Sequence, residues 1–341
     1  MNNSTTPTPP KGMTPASDEL MQIMLELLSV YLILFIVGFA FALLNVPLLY
    51  TLLFSKKLRD DSKLLICLAI GDLVNCAALS LMGLDRYSLY MRCLPIRMIP
   101  LETSLSCASK PYMWLRIIGN LWPPTVQVVM GMERVIASMT PIVYIKHLRN
   151  KTLHLSLFSL AVVLIFCAVG LALAITNVSK GYVKFDCGRK ATFSVAYART
   201  IYYWEMLGYF IGLILNAIAY IRAKSIISSA MVRSQLKRIR YGLALGILST
   251  VLVSVPNIKS LFLDQLRFAG MDEWVSQLFN WASIINSSIN IFVYIWLYKD
   301  FRYEFARLFR VKYLLRKPAA TTLFDVHTRI SSPLLLVGNG A

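Results

Sequence analysis

The chain has 341 residues, of which 57% are hydrophobic and only 15% carry a charged side chain. This composition, with a mean hydropathy of +0.61, excludes a large soluble domain and is typical of membrane proteins. The formal net charge of +18 does not indicate nucleic-acid binding, because the basic residues separate apolar segments instead of forming one patch.

The apolar residues are grouped into long segments that follow a polar N-terminus. Residues 1–26 are rich in Pro, Thr and Asn and are predicted to be disordered. Seven later stretches satisfy the requirement of roughly 20 apolar residues for a membrane-spanning helix. They cover residues 27–54, 63–84, 111–138, 153–177, 199–222, 240–263 and 274–298. The sequence therefore predicts an all-α membrane protein with a seven-helix bundle over residues 27–298, with six or eight spans as alternatives.

A basic amphipathic stretch follows the last span directly. Aromatic and aliphatic residues alternate there with four cations, Arg302, Arg307, Arg310 and Lys312. The pattern predicts a short eighth helix over residues 299–315 that lies in the plane of an anionic inner leaflet. Residues 316–341 are then a cytoplasmic tail. A solvated basic tail over the whole region is the alternative.

Basic residues are unequally divided between the two sides of the predicted spans. Segments 55–63, 146–151, 222–240 and 299–329 carry 21 Lys and Arg residues, and the opposite side carries 13. The positive-inside rule places the richer side in the cytoplasm and the N-terminus outside. In this orientation the N-x-S/T acceptors Asn2, Asn3 and Asn177 face the exterior and are candidates for glycosylation.

The seventh predicted span carries polar side chains at helical spacing. Asn286, Asn290 and Tyr294 are four residues apart, so they lie along one face of the helix. Hydrocarbon cannot satisfy these groups, so this face must contact protein or an internal cavity. Asp72 in the second span is either a buried structural carboxyl or faces Asn286 and Asn290 in a polar core that rearranges.

Several short motifs, in this order, resemble the rhodopsin-like G-protein-coupled receptors over roughly residues 27–312. They are Asn45, Leu68-Ala69-Ile70-Gly71-Asp72, Glu133-Arg134-Val135, Pro141-Ile142-Val143-Tyr144, Tyr220, Pro256, Asn290-Ile291-Phe292-Val293-Tyr294 and Lys299-Asp300-Phe301-Arg302. The chain departs from the family pattern where Ile291 replaces a proline and Val135 replaces an aromatic residue. These departures and a short third intracellular loop are most similar to the chemoreceptor families of nematodes.

The resemblance implies a plasma-membrane receptor, not an enzyme, that activates heterotrimeric G proteins when a small molecule or peptide binds outside. It assigns activation and coupling to Asp72, Glu133, Arg134, Tyr220, Asn286, Asn290 and Tyr294. Glu133 is expected to restrain Arg134 at rest, and the released arginine then helps to receive the tail helix of a G-protein α subunit. Tyr220 and Tyr294 are expected to swing towards it. A plain snorkelling role for Arg134 is the alternative.

The resemblance also places a sodium ion beside the second-span aspartate in many family members. Here Pro123 stands where a hydroxyl ligand is expected, eleven residues before Arg134. This substitution argues against sodium. No C-x-x-C or other His/Cys spacing indicates a metal site, so neither a metal nor a cofactor is predicted.

A cation in the third span indicates the chemistry of the ligand. Arg116 lies about five helical turns before Arg134, so both side chains point to the interior face. Together with Lys259 it favours an anionic ligand such as a carboxylate. Pairing of either cation with Glu205, without any ligand preference, is the alternative. The other predicted pocket residues are Asn120 and Trp281.

The resemblance further implies an extracellular disulfide between Cys107 and Cys187. Cys93 is a third cysteine on the same side and a competing partner. The remaining cysteines, Cys67, Cys76 and Cys167, lie within spans and are predicted to be inert packing residues.

Other classes of membrane protein fit the sequence less well. No H-E-x-x-H or G-x-S-x-G motif indicates an enzyme. A transporter is the main alternative and predicts helices broken at the midplane, for which Pro123-Pro124 is a possible position. A ligand-gated channel of the seven-helix insect type would place the N-terminus inside the cell.

Overall fold

The computed structural model describes residues 12–148, 151–225, 230–254, 257 and 272–311, and most of them are helical. The helices are α1 (Asp18–Phe54), α2 (Lys56–Asp61), α3 (Lys63–Ile96), α4 (Ser104–Ala108), α5 (Pro111–Met139), α6 (Pro141–Val143), α7 (Thr152–Asn177), α8 (Arg189–Thr192), α9 (Val195–Ser225), α10 (Ala230–Ser249), α11 (Asp272–Leu297) and α12 (Lys299–Leu308). Single π-helical turns at Tyr144–Leu148 and Thr250–Ser254 continue α6 and α10. A 3-10 turn at Val178–Lys180 follows α7.

Four helices, α1, α3, α7 and α9, are long and apolar enough to cross a membrane. A fifth span results if α5 and the following segment Pro141–Leu148, which are bent by 118° relative to each other, are counted together. Large apolar side chains such as Ile165 on α7 and Leu25 on α1 are more than half exposed, as expected of surfaces that contact lipid. These features support a multi-pass, all-α membrane protein.

Residues 12–26, which precede the predicted first span, form regular secondary structure. Strand β1 (Met13–Pro15) pairs antiparallel with strand β2 (Met98–Pro100). Helix α1 then begins at Asp18, where the Ser17 side chain accepts a hydrogen bond from the backbone N–H of Leu20 at 3.2 Å. The prediction of disorder is therefore wrong for residues 12–26, because this cap starts the helix ahead of its apolar segment. Residues 1–11, including Asn2 and Asn3, lie outside the described residues.

A second short hairpin and a disulfide mark one end of the helix bundle. Strand β3 (Glu102–Thr103) pairs with strand β4 (Tyr182–Val183). The predicted disulfide between Cys107 and Cys187 is present, with an S–S distance of 2.04 Å. Cys93 is buried beside this region as a free thiol, and the three cysteines within spans are free as well. We call this end of the bundle the disulfide end.

Small residues let α3 approach both of its main neighbours closely. A Cβ atom added at Gly83 would lie only 2.7 Å from the backbone nitrogen of Phe35 on α1. A Cβ added at Gly119 on α5 would lie 2.6 Å from the Cα of Asn75 on α3. Backbone contacts of this kind are typical of helices packed in membranes. They bring the polar side chains of α3 into the centre of the bundle.

Helix α5 passes through Pro123 and Pro124 without a break. The carbonyl oxygen of Leu121 accepts a hydrogen bond from the Thr125 hydroxyl one turn later, at 2.6 Å. The midplane break that would favour a transporter is therefore absent at this position.

Helix α12 follows α11 directly and has one apolar face. Phe301 is fully buried and packs on Tyr294, with ring centroids 5.7 Å apart, whereas Tyr303 is largely exposed. The helix begins at Lys299 as predicted but ends at Leu308. Two residues later, Arg310 adopts a left-handed φ of 54°. The remainder of the predicted helix beyond residue 311 and the tail 316–341 lie outside the described residues.

Candidate functional site

Asp72 on α3 faces α11 in the centre of the bundle, where it is almost fully buried. Its Oδ2 atom accepts a hydrogen bond from the side-chain amide of Asn290. Asn286 turns away and donates to the hydroxyl of Tyr209 on α9 at 3.4 Å. The predicted contact between Asp72 and the polar stripe now seen on α11 is thus formed by Asn290 and not by Asn286.

Two further asparagines join α11 to α1 and α3. The Asn75 amide donates to the hydroxyls of Ser283 and Ser287, both at 2.9 Å. The Asn45 amide donates to the backbone oxygen of Ser287 at 3.1 Å. Sequence analysis missed Asn75, although it lies three residues after Asp72 on the same helical face. We refer to Asn45, Asp72, Asn75, Ser287 and Asn290 as the amide cluster.

Arg134 lies near the C-terminal end of α5, far from the disulfide, and its side chain is buried. One terminal nitrogen, Nη1, donates to the Oδ1 atom of Asn216 on α9. The guanidinium carbon lies 5.4 Å from the ring centroid of Tyr241 on α10, in cation–π geometry. Gly242 leaves room for this packing, since an added Cβ atom would overlap the guanidinium. We call these four residues, which join three helices, the Arg134 clamp.

The predicted restraint of Arg134 by Glu133 is wrong for the described chain, because the two side chains do not contact each other. The Glu133 carboxylate instead accepts a hydrogen bond from the Tyr144 hydroxyl at 2.9 Å. Neighbouring helical residues point about 100° apart, so Arg134 faces the interior while Glu133 faces the turn that follows α5. Asn216 and Tyr241 hold the arginine in place of the carboxylate.

The two tyrosines that were expected to move towards Arg134 have different surroundings. Tyr294 is buried, 6.0 Å from Tyr241 between ring centroids, and its hydroxyl has no hydrogen-bond partner among the described residues. Tyr220 is half-buried and packs with Val135 against an apolar cluster of α9 and α10. Neither phenol bonds to Arg134 in this packing of the described chain.

Arg116 lies near the disulfide end of α5 and points into the bundle. Its terminal nitrogens contact the Oδ1 atom of Asn280 on α11 and the sulfur of Met82 on α3. The Nε atom has no partner among the described residues. No ion pair joins Arg116 to Glu205 in the described part of the chain, so the Arg116 form of the structural pairing considered from the sequence is not present. Lys259 lies outside the described residues.

A second interior arginine, Arg86 on α3, belongs to a continuous chain of hydrogen bonds. It donates to the Tyr31 hydroxyl at 2.8 Å and lies 4.0 Å from the carboxylate of Asp186. The same hydroxyl accepts from Gln277 at 3.1 Å. Gln277 in turn accepts at 3.2 Å from Asn280, the residue that also holds the arginine of α5. The chain of contacts therefore fixes the orientation of both guanidinium groups.

A third interior arginine, Arg189, is carried by the loop that the disulfide anchors. Cys187 adopts a left-handed φ of 50°, which costs a non-glycine residue about 1–2 kcal/mol. Gly188 follows, and Arg189 begins α8. Its guanidinium stacks 4.7 Å from the ring centroid of Tyr202 on α9, is 8% exposed, and leaves Nη1 without a partner among the described residues.

The charges of this region are not balanced. Arg116 and Arg189 are close enough to act on each other as like charges, and both act as opposite charges on the buried side chain of Glu205, which lies near Asn257. A buried cation without an anionic partner is costly, because the protein interior replaces the solvation by water poorly. The described residues thus place two guanidiniums near one carboxylate. We call Arg86, Arg116, Arg189, Asp186 and Glu205 the arginine cluster.

The other predicted site residues surround these clusters. Asn120 is buried and makes no side-chain hydrogen bond within the described chain, and Trp281 is partly buried against the apolar core. The Asn177 amide, the predicted glycan acceptor, donates to the backbone oxygen of Phe193. A glycan on that nitrogen would replace one of its two hydrogens and leave one N–H for this contact.

Sequence analysis missed Arg86, Asp186 and Arg189. Arg86 lies beyond the predicted end of the second span, and α3 in fact continues to Ile96. Arg189 follows the predicted disulfide cysteine by two residues, and this proximity was the available signal.

No family model matches the chain. No curated protein is significantly similar to it either. The assignment of a function therefore depends on the residues themselves and on their geometry.

Proposed function

We propose that this chain is a rhodopsin-like G-protein-coupled receptor of the plasma membrane, with its N-terminus outside the cell. It is a chemosensory receptor for a small anionic ligand that binds at the disulfide end, and it activates heterotrimeric G proteins at the opposite end. The observation that carries the proposal is the Arg134 clamp, together with the position of Arg134 in the Glu133-Arg134-Val135 motif.

The Arg134 clamp has the properties of a releasable contact. Arg134 is held by a neutral amide and an aromatic ring, contacts worth about 1–3 kcal/mol each. A population shift between two bundle packings needs a differential ligand affinity of similar size, up to about 5.5 kcal/mol for a nearly complete shift. Movement of α10 away from α5 would separate Arg134 from Tyr241 and expose the guanidinium to an entering helix of a G protein.

The amide cluster is suited to carry a rearrangement between the two ends. Helix α11 runs continuously through Ile291, which stands where the resembled family has a proline. Without the kink of a proline, the position of α11 depends more on side-chain bonds such as those from Asn290 to Asp72 and from Asn75 to Ser287. We expect these bonds to exchange partners when the bundle rearranges.

The proposal is tested by substitutions of Arg134 and of its hydrogen-bond partner Asn216. Arg134→Ala removes the group that would meet the G protein, so nucleotide exchange on Gα in receptor-containing membranes should be lost while surface staining stays normal. Asn216→Ala removes only the restraint, so ligand-independent exchange should rise. Unchanged exchange in the Arg134 variant, at equal surface level, would overturn the proposal.

The orientation test separates this function from the alternatives. A tag at the N-terminus should be stained by antibody on intact, non-permeabilised cells. A channel of the insect type would hide the tag, and the transporter alternative has lost the support of a broken α5. In the proposed orientation the protein lies in the lipid bilayer, binds its ligand outside the cell and binds the G protein in the cytoplasm.

A further inference from the structure

A small pocket opens on the side of the bundle where α7 packs against α4 and α5. Its volume is about 360 Å³, which is within the range of small-molecule sites. Most of its walls are apolar side chains of these three helices, namely Leu105, Ala108, Trp114, Cys167, Ala168 and Leu171. We call it the α7 pocket. It is separate from the arginine cluster, because none of its lining residues belongs to that cluster.

The polar atoms at the walls of the α7 pocket already have partners within the protein. The hydroxyl of Ser109, which also lines it, donates to the backbone oxygen of Leu105 at 2.9 Å. The indole N–H of Trp114 donates to the backbone oxygen of Ala108 at 2.7 Å. Cys167 contributes a half-buried free thiol, which is only a weak hydrogen-bond donor. A charged or strongly polar ligand would lose its hydration here without gaining partners, so the walls suit an uncharged hydrocarbon.

The depth of the pocket along α7 identifies the source of that hydrocarbon. Helix α7 has 26 residues, so at about 1.5 Å per residue it is roughly 39 Å long and exceeds the hydrocarbon core of about 30 Å. Leu171 and Cys167 lie six and ten residues before its last residue, Asn177, which is about 9 and 15 Å from that end. The α7 pocket therefore lies among the acyl chains of the nearer leaflet, below the headgroups.

The open side of the pocket faces lipid. Leu105 and Leu171, on α4 and α7, are 45% and 46% exposed, whereas Ala108 is 3% exposed. An unfilled recess at this depth would deprive its wall atoms of van der Waals contacts on one side. Acyl chains surround the protein there at a far higher concentration than any solute, so a lipid chain is the expected occupant.

We propose that the α7 pocket binds one acyl chain of a phospholipid from the leaflet at the disulfide end. The acyl chain packs against Trp114, two residues before Arg116. Lys110, the residue before α5, is engaged by Asp85 and Glu102 at 3.2 and 3.7 Å, so the site selects the hydrocarbon and not the charge of the headgroup. The inference goes beyond the proposed function and requires only that the protein spans a membrane.

Quenching of Trp114 by brominated lipid tests the site, because bromine quenches indole fluorescence on contact. The full-length protein is reconstituted in vesicles of phosphatidylcholine that carries bromine in the middle of its acyl chains, and in the same lipid without bromine. The difference between the wild-type protein and Trp114→Phe gives the contribution of Trp114. It should be quenched about as strongly as that of Trp204, which is 38% exposed, and far more strongly than that of Trp122, which is 8% exposed. Each of these is obtained from its own Phe variant.

Two obstructions assign the quenching to the pocket. Ala168→Phe adds a ring at its wall and should abolish the quenching of Trp114. Ala161→Phe, also at an exposed position of α7 but two helical turns away, is the matched control and should leave the quenching unchanged. Alkylation of Cys167 with N-cyclohexylmaleimide blocks the pocket by a second route, and the same reagent should have no effect on the quenching in Cys167→Ser. The unfolding midpoint shows whether each variant is folded.

The inference is overturned if Trp114 is quenched no more than Trp122, or if neither obstruction reduces its quenching. Efficient formation of a disulfide between two Cys167 residues in oxidised vesicles would also overturn it, because a second copy of the protein would then cover the pocket. The proposed function fails separately. If the lipid chain binds but Arg134→Ala leaves nucleotide exchange on Gα unchanged, the lipid site stands and the receptor function does not.

Discussion

The amide cluster and the arginine cluster are both polar regions inside an apolar bundle, yet they lack opposite kinds of hydrogen-bond partner. Within the described ranges of the chain, the unsatisfied atoms of the amide cluster are acceptors, namely Oδ1 of Asn45, Asp72 and Asn75. In the arginine cluster most of them are donors, on Arg86, Arg116 and Arg189. The first cluster joins helices to one another mainly through neutral amides. The second gathers cations that repel, and an anion from outside would complete it.

This difference matches two tasks that the proposed receptor must perform. Neutral amide bonds can break and re-form between helices at a net cost of about 0.5–1.5 kcal/mol each, which suits a rearranging core. Buried guanidiniums gain far more from a new charged partner than from a neutral one. Under the proposed function, the disulfide end is suited to ligand binding, and the rest of the polar core to changes in helix packing.

The largest expected effect comes from removal of the disulfide, which orders the arginine-bearing loop. The double variant Cys107→Ser/Cys187→Ser should lower stability by about 2–5 kcal/mol, because the bond closes a long loop in the unfolded chain. The measurement is the thermal unfolding midpoint in detergent. Cys93→Ser, which alters a buried free thiol nearby, is the control and should have a smaller effect. Equal losses in both proteins would show that the bridge is not what stabilises this end.

A glycine pair on α10 tests the opposite end with a matched control. A methyl group at Gly242 would overlap the Arg134 guanidinium, whereas one at Gly246 would meet Leu213 at an ordinary 3.4 Å. Gly242→Ala should therefore cost about 1–3 kcal/mol through overpacking and should raise basal nucleotide exchange by displacing Arg134. Gly246→Ala shares the gain in helix propensity and should leave basal exchange unchanged. Equal behaviour of the two variants would contradict the proposed role of the Arg134 clamp.

Positions along the chain were easier to predict than side-chain pairings. The helix boundaries near Lys63, Pro111 and Asn177 follow from local composition, and the sequence predicted them closely. The start of α1 was missed because a polar cap extends the helix ahead of the apolar segment. The partner of Arg134 was missed because Asn216 is distant in sequence, and a neutral amide in a span gives no signal of which helix it faces. Arg189 was missed for the same reason, since only the folded loop brings it to α9.

The smallest expected effect on stability belongs to one of two tyrosines that differ in their hydrogen bonding, Tyr31 beside Arg86 and Tyr294 beside the Arg134 clamp. The Tyr31 hydroxyl accepts from both Arg86 and Gln277, so Tyr31→Phe leaves two buried donors unpaired and should cost about 1–3 kcal/mol. The Tyr294 hydroxyl has no partner among the described residues, so Tyr294→Phe should change stability by less than about 0.5 kcal/mol.

Tyr294→Phe, which should hardly change stability, should instead change activity. A hydroxyl that is unpaired in this packing contributes to function only if it gains a partner in another packing, and Arg134 is the expected one. Tyr294→Phe should therefore lower ligand-driven nucleotide exchange while the unfolding midpoint stays nearly constant. A large loss of stability in this variant would mean that the phenol is already bonded at rest. Normal signalling would mean that the rearranged bundle does not use the hydroxyl. Either result would end the assignment of Tyr294 as a residue that stabilises the active packing.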